Sequence, residues 1–271
     1  MDVEELAERT RLAIEGTRWA LKWVPTTGST NADLMAAAGA GEPAGTVLVA
    51  EHQGAGRGRL DRTWVAPQGS SLLMSVLVRP TVPPEAAHLS AVVVALAAEH
   101  ACASVTGVVP GLKWPNDLVI GSGDATRKVG GVLSESLVAD GEVAAVVVGI
   151  GINVNWPAEL PADLVGVATS LNAHVAGGDD IDRVELLAAL LIELDSLVDL
   201  LNSAAGRVRL LDEYRRRCVT IGSRVRVEMA DLTMEGTATA VDNDGHLVVT
   251  DDDGVDLIVA VGDVIHLRPV V

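Results

Sequence analysis

Two long apolar stretches, Lys128 to Val138 and Glu142 to Asn155, are separated by little more than Asp140-Gly141, and this pairing constrains the fold more than any other feature. Both read as strands, and Asp-Gly between them is a strong hairpin signal, so they lie side by side and antiparallel. Upstream, single helices separate the strands. A helix from Asp2 to Ile14 places Val3, Leu6, Ala7, Thr10, Ala13 and Ile14 on one face. Strands follow at Trp19 to Val24, Thr46 to Ala50 and Ser70 to Val78. Between the first two, a turn at Thr26 to Asn31 caps a short Ala-rich helix ending near Gly39. Pro84 to Val105 reads as one long, mostly buried helix, Gly111 to Ile120 as an extended segment, and Asp182 to Ser203 and Arg207 to Arg217 as helices. Helix-separated strands followed by a hairpin argue for an α+β chain rather than a parallel doubly wound sheet.

Near Thr220 the pattern changes. Short strands at Arg224 to Met229, Gly236 to Val241, His246 to Thr250, Val255 to Val259 and Val264 to Leu267 alternate with acidic turns. This is the pattern of a small β-barrel. It divides the chain into residues 1–220 and 221–271. The acidic turns lack the spacing and terminal Glu of calcium loops and read as turns. The scattered histidines suggest no metal cluster.

The chain has 271 residues and a formal net charge of -17, which opposes nucleic acid over most of its surface. It has no Phe and one Tyr, so the core must be built from aliphatic side chains. Cys102 and Cys218 are too few for a disulfide framework. The acidic N-terminus is unlike a signal peptide. The apolar run from Ala91 to Ala98 stops at Glu99-His100, short of a membrane span. A reducing cytoplasm is the setting expected.

Against that acidic background, Glu51-His52-Gln53-Gly54-Ala55-Gly56-Arg57-Gly58-Arg59, with Arg62 and Trp64 beyond, concentrates three arginines in six residues. Glycines allow close backbone approach and offer N–H groups to phosphate oxygens, and arginines add forked, charge-assisted bonds. The loop is neither a Walker loop nor a dinucleotide fingerprint, since the required Lys and third Gly are missing. A second segment, Lys113-Trp114-Pro115-Asn116-Asp117, precedes Lys128-Val129-Gly130-Gly131. Lys113 and Asp117 form either a structural ion pair or part of a site. Lys128 opens a glycine-rich strand, where its charge can reach a ligand lying on the glycines. Ser29, Thr30 and Asn31 suit a helix cap as well as a ligand. Together, the cations fit a site that brings two anions together, such as a carboxylate and a triphosphate.

These segments, with Gly28-Ser29-Thr30-Asn31 and Gly149-Ile150-Gly151-Ile152-Asn153, resemble bacterial biotin protein ligases in identity and order, from about residue 18 to the C-terminus. The resemblance implies a catalytic domain similar to class II aminoacyl-tRNA synthetases, a mixed sheet with helices, and a C-terminal SH3-like barrel. It implies formation of biotinyl-5′-AMP from biotin and ATP with Mg²⁺, then transfer of biotin to a lysine of a biotin carboxyl carrier protein. Carried over by position, Ser29, Thr30, Asn31 and Gln53 would hold biotin, with Gly56, Gly58, Gly130, Gly131, Gly149 and Gly151 lining its slot. Arg57, Arg59 and Arg62 would form the loop that closes over biotin and the adenylate. Trp64, Asn116, Asn153 and Arg268 would contact the nucleotide. Lys128 would bridge the biotin carboxylate and the α-phosphate, Arg59 would assist it, and Asp117 would orient or deprotonate the incoming amine. Some relatives also carry an N-terminal winged helix-turn-helix and repress transcription. Only one short helix precedes the first strand here, so no operator binding, nucleic-acid partner or membrane is expected. The resemblance allows a monomer or a ligand-dependent homodimer. The alternatives are a lipoate or octanoate ligase or transferase of the same fold, and a non-catalytic biotin sensor.

Overall fold

A computed structural model describes residues 2–60, 62–159, 164–229, 233–260 and, for the backbone alone, 263–266. Helix α1 (Val3–Ala13) buries Leu6, Ala7 and Thr10, with Ile14 just beyond its end, while Ala13 turns outward. Strand β1 (Ala20–Val24), helix α2 (Thr30–Gly39) and strand β2 (Thr46–Ala50) form a crossover unit. A helix between two strands lets them run parallel, and β1 pairs β2 in that sense. Every later pairing is antiparallel: β3 (Ser71–Val78), β4 (Gly111–Lys113), β5 (Asp117–Ile120), β6 (Arg127–Ala139) and β7 (Glu142–Asn153) complete a seven-stranded sheet in the order β1-β2-β3-β7-β6-β5-β4. The central β6–β7 hairpin turns at Asp140 and Gly141, both with positive φ, which is what an Asp-Gly turn supplies.

Four sequence expectations are corrected. The helix expected over 84–105 is a 3-10 turn, Pro84–Ala86, followed by α3 (Leu89–Thr106). The stretch 84–106 is long and apolar enough to cross a membrane, contrary to the reading that Glu99-His100 interrupts it. Two thirds of its most apolar window is buried inside this fold. Glu99 is tolerated there because Arg217 donates to its carboxylate at 2.8 Å. The extended segment 111–120 folds back on itself: β4 and β5 pair across a turn with a cis Trp114–Pro115 bond. The helix expected to Ser203 ends earlier. Helix α4 (Arg183–Leu197) tightens into a 3-10 segment, Val198–Asn202, because the Ser203 hydroxyl accepts from Gly206 N–H and starts α5 (Ala204–Arg217) afresh.

Strands β8 (Arg224–Glu228), β9 (Thr233–Val241), β10 (Leu247–Thr250), β11 (Asp256–Val259) and β12 (Asp263–His266) form a second, antiparallel sheet in the order β11-β10-β9-β8-β12. Its β9–β10 turn docks on the first unit. Trp114 donates its indole N–H to Gly245 O at 3.0 Å, and Arg215 donates to Val241 O and Asp242 O, each at 2.6 Å. In the same turn the side-chain ligand atoms of Asp242, Asp244 and His246 lie within 4.8 Å of one another, a grouping that the sequence expectation of no cluster did not anticipate. Asp242 Oδ1 accepts from the backbone N–H of both Asp244 and His246, each at 2.9 Å, so that oxygen closes the turn.

Candidate active site

The arginine loop is a hairpin. Trp64 N–H donates to Gly56 O at 2.9 Å, Gly58 N–H donates to Arg62 O at 2.7 Å, and Arg57 pairs with Thr63. A Cβ on Gly56 would meet Trp64 O at 2.5 Å, so this glycine is needed for the hairpin to close. At its base Glu51 accepts two bonds from Arg183, at 2.9 and 2.8 Å, and one from the Trp23 indole at 2.9 Å. This half-buried fork fixes where the loop leaves the sheet.

Opposite the loop, β6 carries a bulge. Val119 pairs with Lys128 while Leu118 pairs with Gly130, so Val129 is the extra residue. In a regular strand, residues three apart face opposite sides, and one inserted residue brings them to the same side. Lys128 thereby lies over Gly131: a Cβ there would be 3.0 Å from Nζ. Lys128 Nζ reaches Asp117 Oδ1 at 2.6 Å and stands 5.4 Å from the centre of the Trp64 ring. Arg57 pairs with Glu135 at 3.1 Å, and the Asn116 side chain braces β6 by donating to Val132 O at 2.8 Å while facing Arg59 at 3.5 Å.

Two cavities meet at Trp64. The larger, about 330 Å³, is lined by Arg57, Arg59, Arg62, Lys113, Asp117 and Lys128, among others, a strongly cationic set. The smaller, about 30 Å³, is lined by Ser29, Thr30, Asn31, Gln53, Gly149 and Gly151, among others. It has room for a water or two, not a bicyclic ring. A ligand with such a ring enters only if Trp64 or its loop gives way. A third cavity, about 450 Å³, lies beyond Trp114-Pro115-Asn116. Its wall includes Ala91, Val92 and Leu211, and it is the largest of the three yet lacks Lys128 and Asp117.

The smaller cavity is a chain of hydrogen bonds with a definite direction. Ser29 caps α2 by accepting from Ala32 N–H at 3.4 Å, leaving its hydroxyl proton to donate elsewhere. Gln53 Oε1 accepts from Thr30 N–H at 2.8 Å, which turns the Gln53 NH₂ group the other way. Asn31 donates to Glu135 at 2.5 Å and accepts from the Ser75 hydroxyl at 3.0 Å. Ser75 has then used its proton, and the Thr30 hydroxyl, 2.8 Å from Ser75, also donates to Gln53 Oε1 at 3.1 Å, so the Thr30 proton is held within the wall. The wall presents donors at Ser29 and Gln53 and an acceptor at Thr30.

Residues 26–153 match the model of the biotin/lipoate A/B protein ligase family, and residues 220–267 match the biotin protein ligase C-terminal domain. The biotin--[acetyl-CoA-carboxylase] ligase of Mycobacterium tuberculosis is 39% identical over 98% of this chain and 96% of its own length. This chain belongs to the biotin protein ligase family. The bifunctional ligase/repressor BirA of Bacillus subtilis is 33% identical over 79% of this chain and 64% of its own length. The biotin protein ligase of Aquifex aeolicus, solved with biotin and ATP, superposes with a TM-score of 0.76 at 26% identity, covering 91% of this chain and 99% of that one.

Within this family frame, the structure brings most of the expected residues together and separates a few. Gly130 and Gly131 are consecutive in a strand and so face opposite sides. Only Gly131 lines the cavities, while a Cβ on Gly130 would meet Gly151 O and the Leu118 side chain. Gly56 lines neither cavity, and the N–H of Gly58 is spent inside the hairpin rather than offered to phosphate. Asn153 is 2% exposed and donates to Thr169 O at 2.9 Å, while its Oδ1 has no partner among the described residues, nor has the buried Trp64 indole N–H. Arg268 lies outside the described residues. Asp117 forms an ion pair with Lys128 and is the cross-strand partner of Lys113. Sequence reasoning missed Glu135 and Ser75. Glu135 sits two and four residues from Leu133 and Gly131, so strict alternation along β6 could have flagged it. Ser75, inside a wholly buried apolar strand, carried no comparable signal.

Proposed function

We propose that the smaller cavity takes the ureido ring of biotin and the larger one takes ATP, so that this ligase forms biotinyl-5′-adenylate and passes the biotinyl group to a lysine of a biotin carboxyl carrier domain. The observation that carries this reading is the polarity of the small cavity. A cyclic urea offers one carbonyl acceptor and N–H donors, the complement of two donors at Ser29 and Gln53 and an acceptor at Thr30. An octanoyl or lipoyl chain would leave those groups unpaired on burial, each at about 1–3 kcal/mol. That is the asymmetry by which a polar site rejects an apolar ligand.

In the first step a carboxylate oxygen of biotin attacks the α-phosphorus, and the bond to the β-phosphate oxygen breaks as pyrophosphate leaves. Two anions must approach, and Lys128, reaching over Gly131 from the bulge, offsets their repulsion most as charge develops. Arg59 and Arg62 line the same cavity and add to that field. In the second step a lysine amine attacks the acyl carbon, AMP leaves, and the amine proton passes to a base. Asp117, on the cavity wall beside Lys128, is placed to receive it. Among the described residues, the carboxylates on this wall are Asp117 and Glu228, and Asp117 is already held by Lys128. Such a donor set fits Mg²⁺ arriving on the triphosphate rather than in a cage made by the protein. The buried free thiols of Cys102 and Cys218 suit a reducing cytoplasm.

The test is ATP–pyrophosphate exchange with biotin, lipoate or octanoate as the sole acid. Exchange with biotin alone is expected. Exchange with lipoate or octanoate instead would overturn the substrate assignment, and binding of biotin without exchange would leave a sensor.

A further inference from the structure

We infer that Asn153 is a positioning residue that holds Lys128 over Gly131 through the segment Val167 to Thr169; this rests on the proposed role of Lys128 in adenylate formation. That segment runs beside the start of β6 as a strap. Lys128 N–H donates to Val167 O at 2.9 Å, Thr169 N–H donates to Lys128 O at 2.8 Å, and Ala168 between them is the parallel bridge partner of Lys128. Both main-chain groups of the residue that carries the charge are therefore bonded to the strap. The other bonds of the strap are local. Val167 and Ala168 N–H both turn back to Leu164 O at 3.0 Å, and the Thr169 hydroxyl meets His174 at 2.9 Å. Among the described residues, its remaining tie to the main sheet is the Asn153 side chain, which donates to Thr169 O at 2.9 Å. Three residues on, Asn172 N–H donates to Val154 O at 3.0 Å, so the turn after the strap is fastened separately and does not depend on Asn153.

The place of Asn153 follows from the bulge. Pairing of β6 with β7 runs as far as Gly130 and Ile152. Beyond that point β6 gives up Val129 to the bulge, and β7 ends with Asn153 on the same side as Gly149 and Gly151. A side chain takes over where backbone pairing stops. Asn153 is 2% exposed, so its bond is shielded from water. A carbonyl can only accept, which sets the amide: NH₂ faces Thr169 O, and Oδ1 points away with no partner among the described residues. Asp117 holds Lys128 Nζ from the other end, at 2.6 Å. When the ammonium leaves that carboxylate to offset the charge between the reacting anions, its place rests on its backbone, and so on the strap.

The experiment is biotin-dependent pyrophosphate exchange on wild type, N153A, N153D, K128M and the N153A/K128M double variant, with kcat and the KM for ATP taken separately. N153A deletes the tie. N153D keeps the shape but sets a second acceptor against Thr169 O. Both should lower kcat by about 10- to 100-fold, the scale of a misplacement of about 1 Å, with the KM for ATP within about 3-fold of wild type. The double variant should lose nothing beyond K128M, because the group being positioned is already gone. Losses that multiply in the double variant would overturn the inference. So would a raised KM for ATP with kcat intact in N153A, which marks a nucleotide contact alone. If the buried carboxylate of N153D abolishes cooperative unfolding in urea, N153S, small and neutral, takes its place with the same outcomes expected. Wild-type exchange in K128M would instead overturn the reading beneath the inference.

Discussion

Gly151→Ala tests the idea that Trp64 rests on the bare backbone of β7. Gly151 and Gly131 are directly paired across β6 and β7, and the indole lies over Gly151. An added Cβ would stand 2.6 Å from Trp64 Cε2, 2.7 Å from Cζ2 and 2.9 Å from Nε1. Carbon atoms in contact prefer about 3.5–4.0 Å, so the indole must retreat by about 1 Å. Relief is hard to find, because the Trp64 backbone is tied to Gly56 O and the ring faces the Lys128 ammonium. Overpacking of this kind costs about 1–3 kcal/mol of folding stability, a fall of about 2–12 °C in unfolding temperature. Calorimetry on wild type, G151A, W64L and the double variant reads this as a cycle. The penalty of G151A should be present with Trp64 and largely gone in the W64L background, where no indole remains to be displaced. An equal penalty in both backgrounds would mean that the backbone of β7, not the indole, is what the methyl disturbs.

Lys128→Met should lower biotin-dependent pyrophosphate exchange by about 10²- to 10³-fold, as expected for losing one charge-stabilising group, in a protein that still unfolds cooperatively. Wild-type exchange would remove Lys128 from the chemistry. Asp117→Asn should leave exchange near wild type but slow single-turnover transfer from preformed adenylate to a carrier lysine; equal losses in both half-reactions would refute a role confined to transfer. Trp114→Phe deletes the indole bond to Gly245 O, worth about 0.5–1.5 kcal/mol, and should lower the unfolding temperature by about 1–6 °C. An unchanged temperature would show that this bond does not hold the second sheet in place. Arg18 donates to Asp199 and holds that carboxyl below the usual carboxylate range. A depressed folded value adds stability above the unfolded pKa of about 3.9 and loses it as pH falls through the folded one. Arg18→Met should therefore flatten the stability curve below about pH 4, and an identical acid limb in urea titrations would discount the pair.

Local signals in the sequence were enough to place the strands and the helix caps. Asp140-Gly141 specified its turn because two positive φ values are cheap for that dipeptide. Ser29 could be read as a cap and proved to be one, yet the same residue also lines the slot, so its two readings were never exclusive. What stayed hidden depended on contacts far apart in the chain. The turn in β4–β5 is held by Thr220, whose hydroxyl accepts from Trp114 N–H at 2.9 Å across more than a hundred residues. The bulge at Val129 follows from pairing with β5 and leaves no mark in composition. The arginine loop announced its charge but not its hairpin, so its glycines were assigned to phosphate when two of them serve the loop itself.

The paired glycines of β6 and β7 show why spacing alone misleads here. A strand gains little from glycine, which packs nothing and costs conformational entropy. In this sheet three bare positions each receive a side chain from elsewhere: Lys128 over Gly131, Asn31 over Gly149 and Trp64 over Gly151. Those three side chains are the charge for the reacting anions, a link in the polar slot and the partition between the two cavities. Gly130, one residue from Gly131, faces the Leu118 side chain and takes no part. A glycine in these strands therefore belongs to the site or to the core according to the side it faces. Since the bulge decides which side that is, a substitution that straightened β6 at Val129 would misplace Lys128 relative to Gly131 without altering any residue of the cavities.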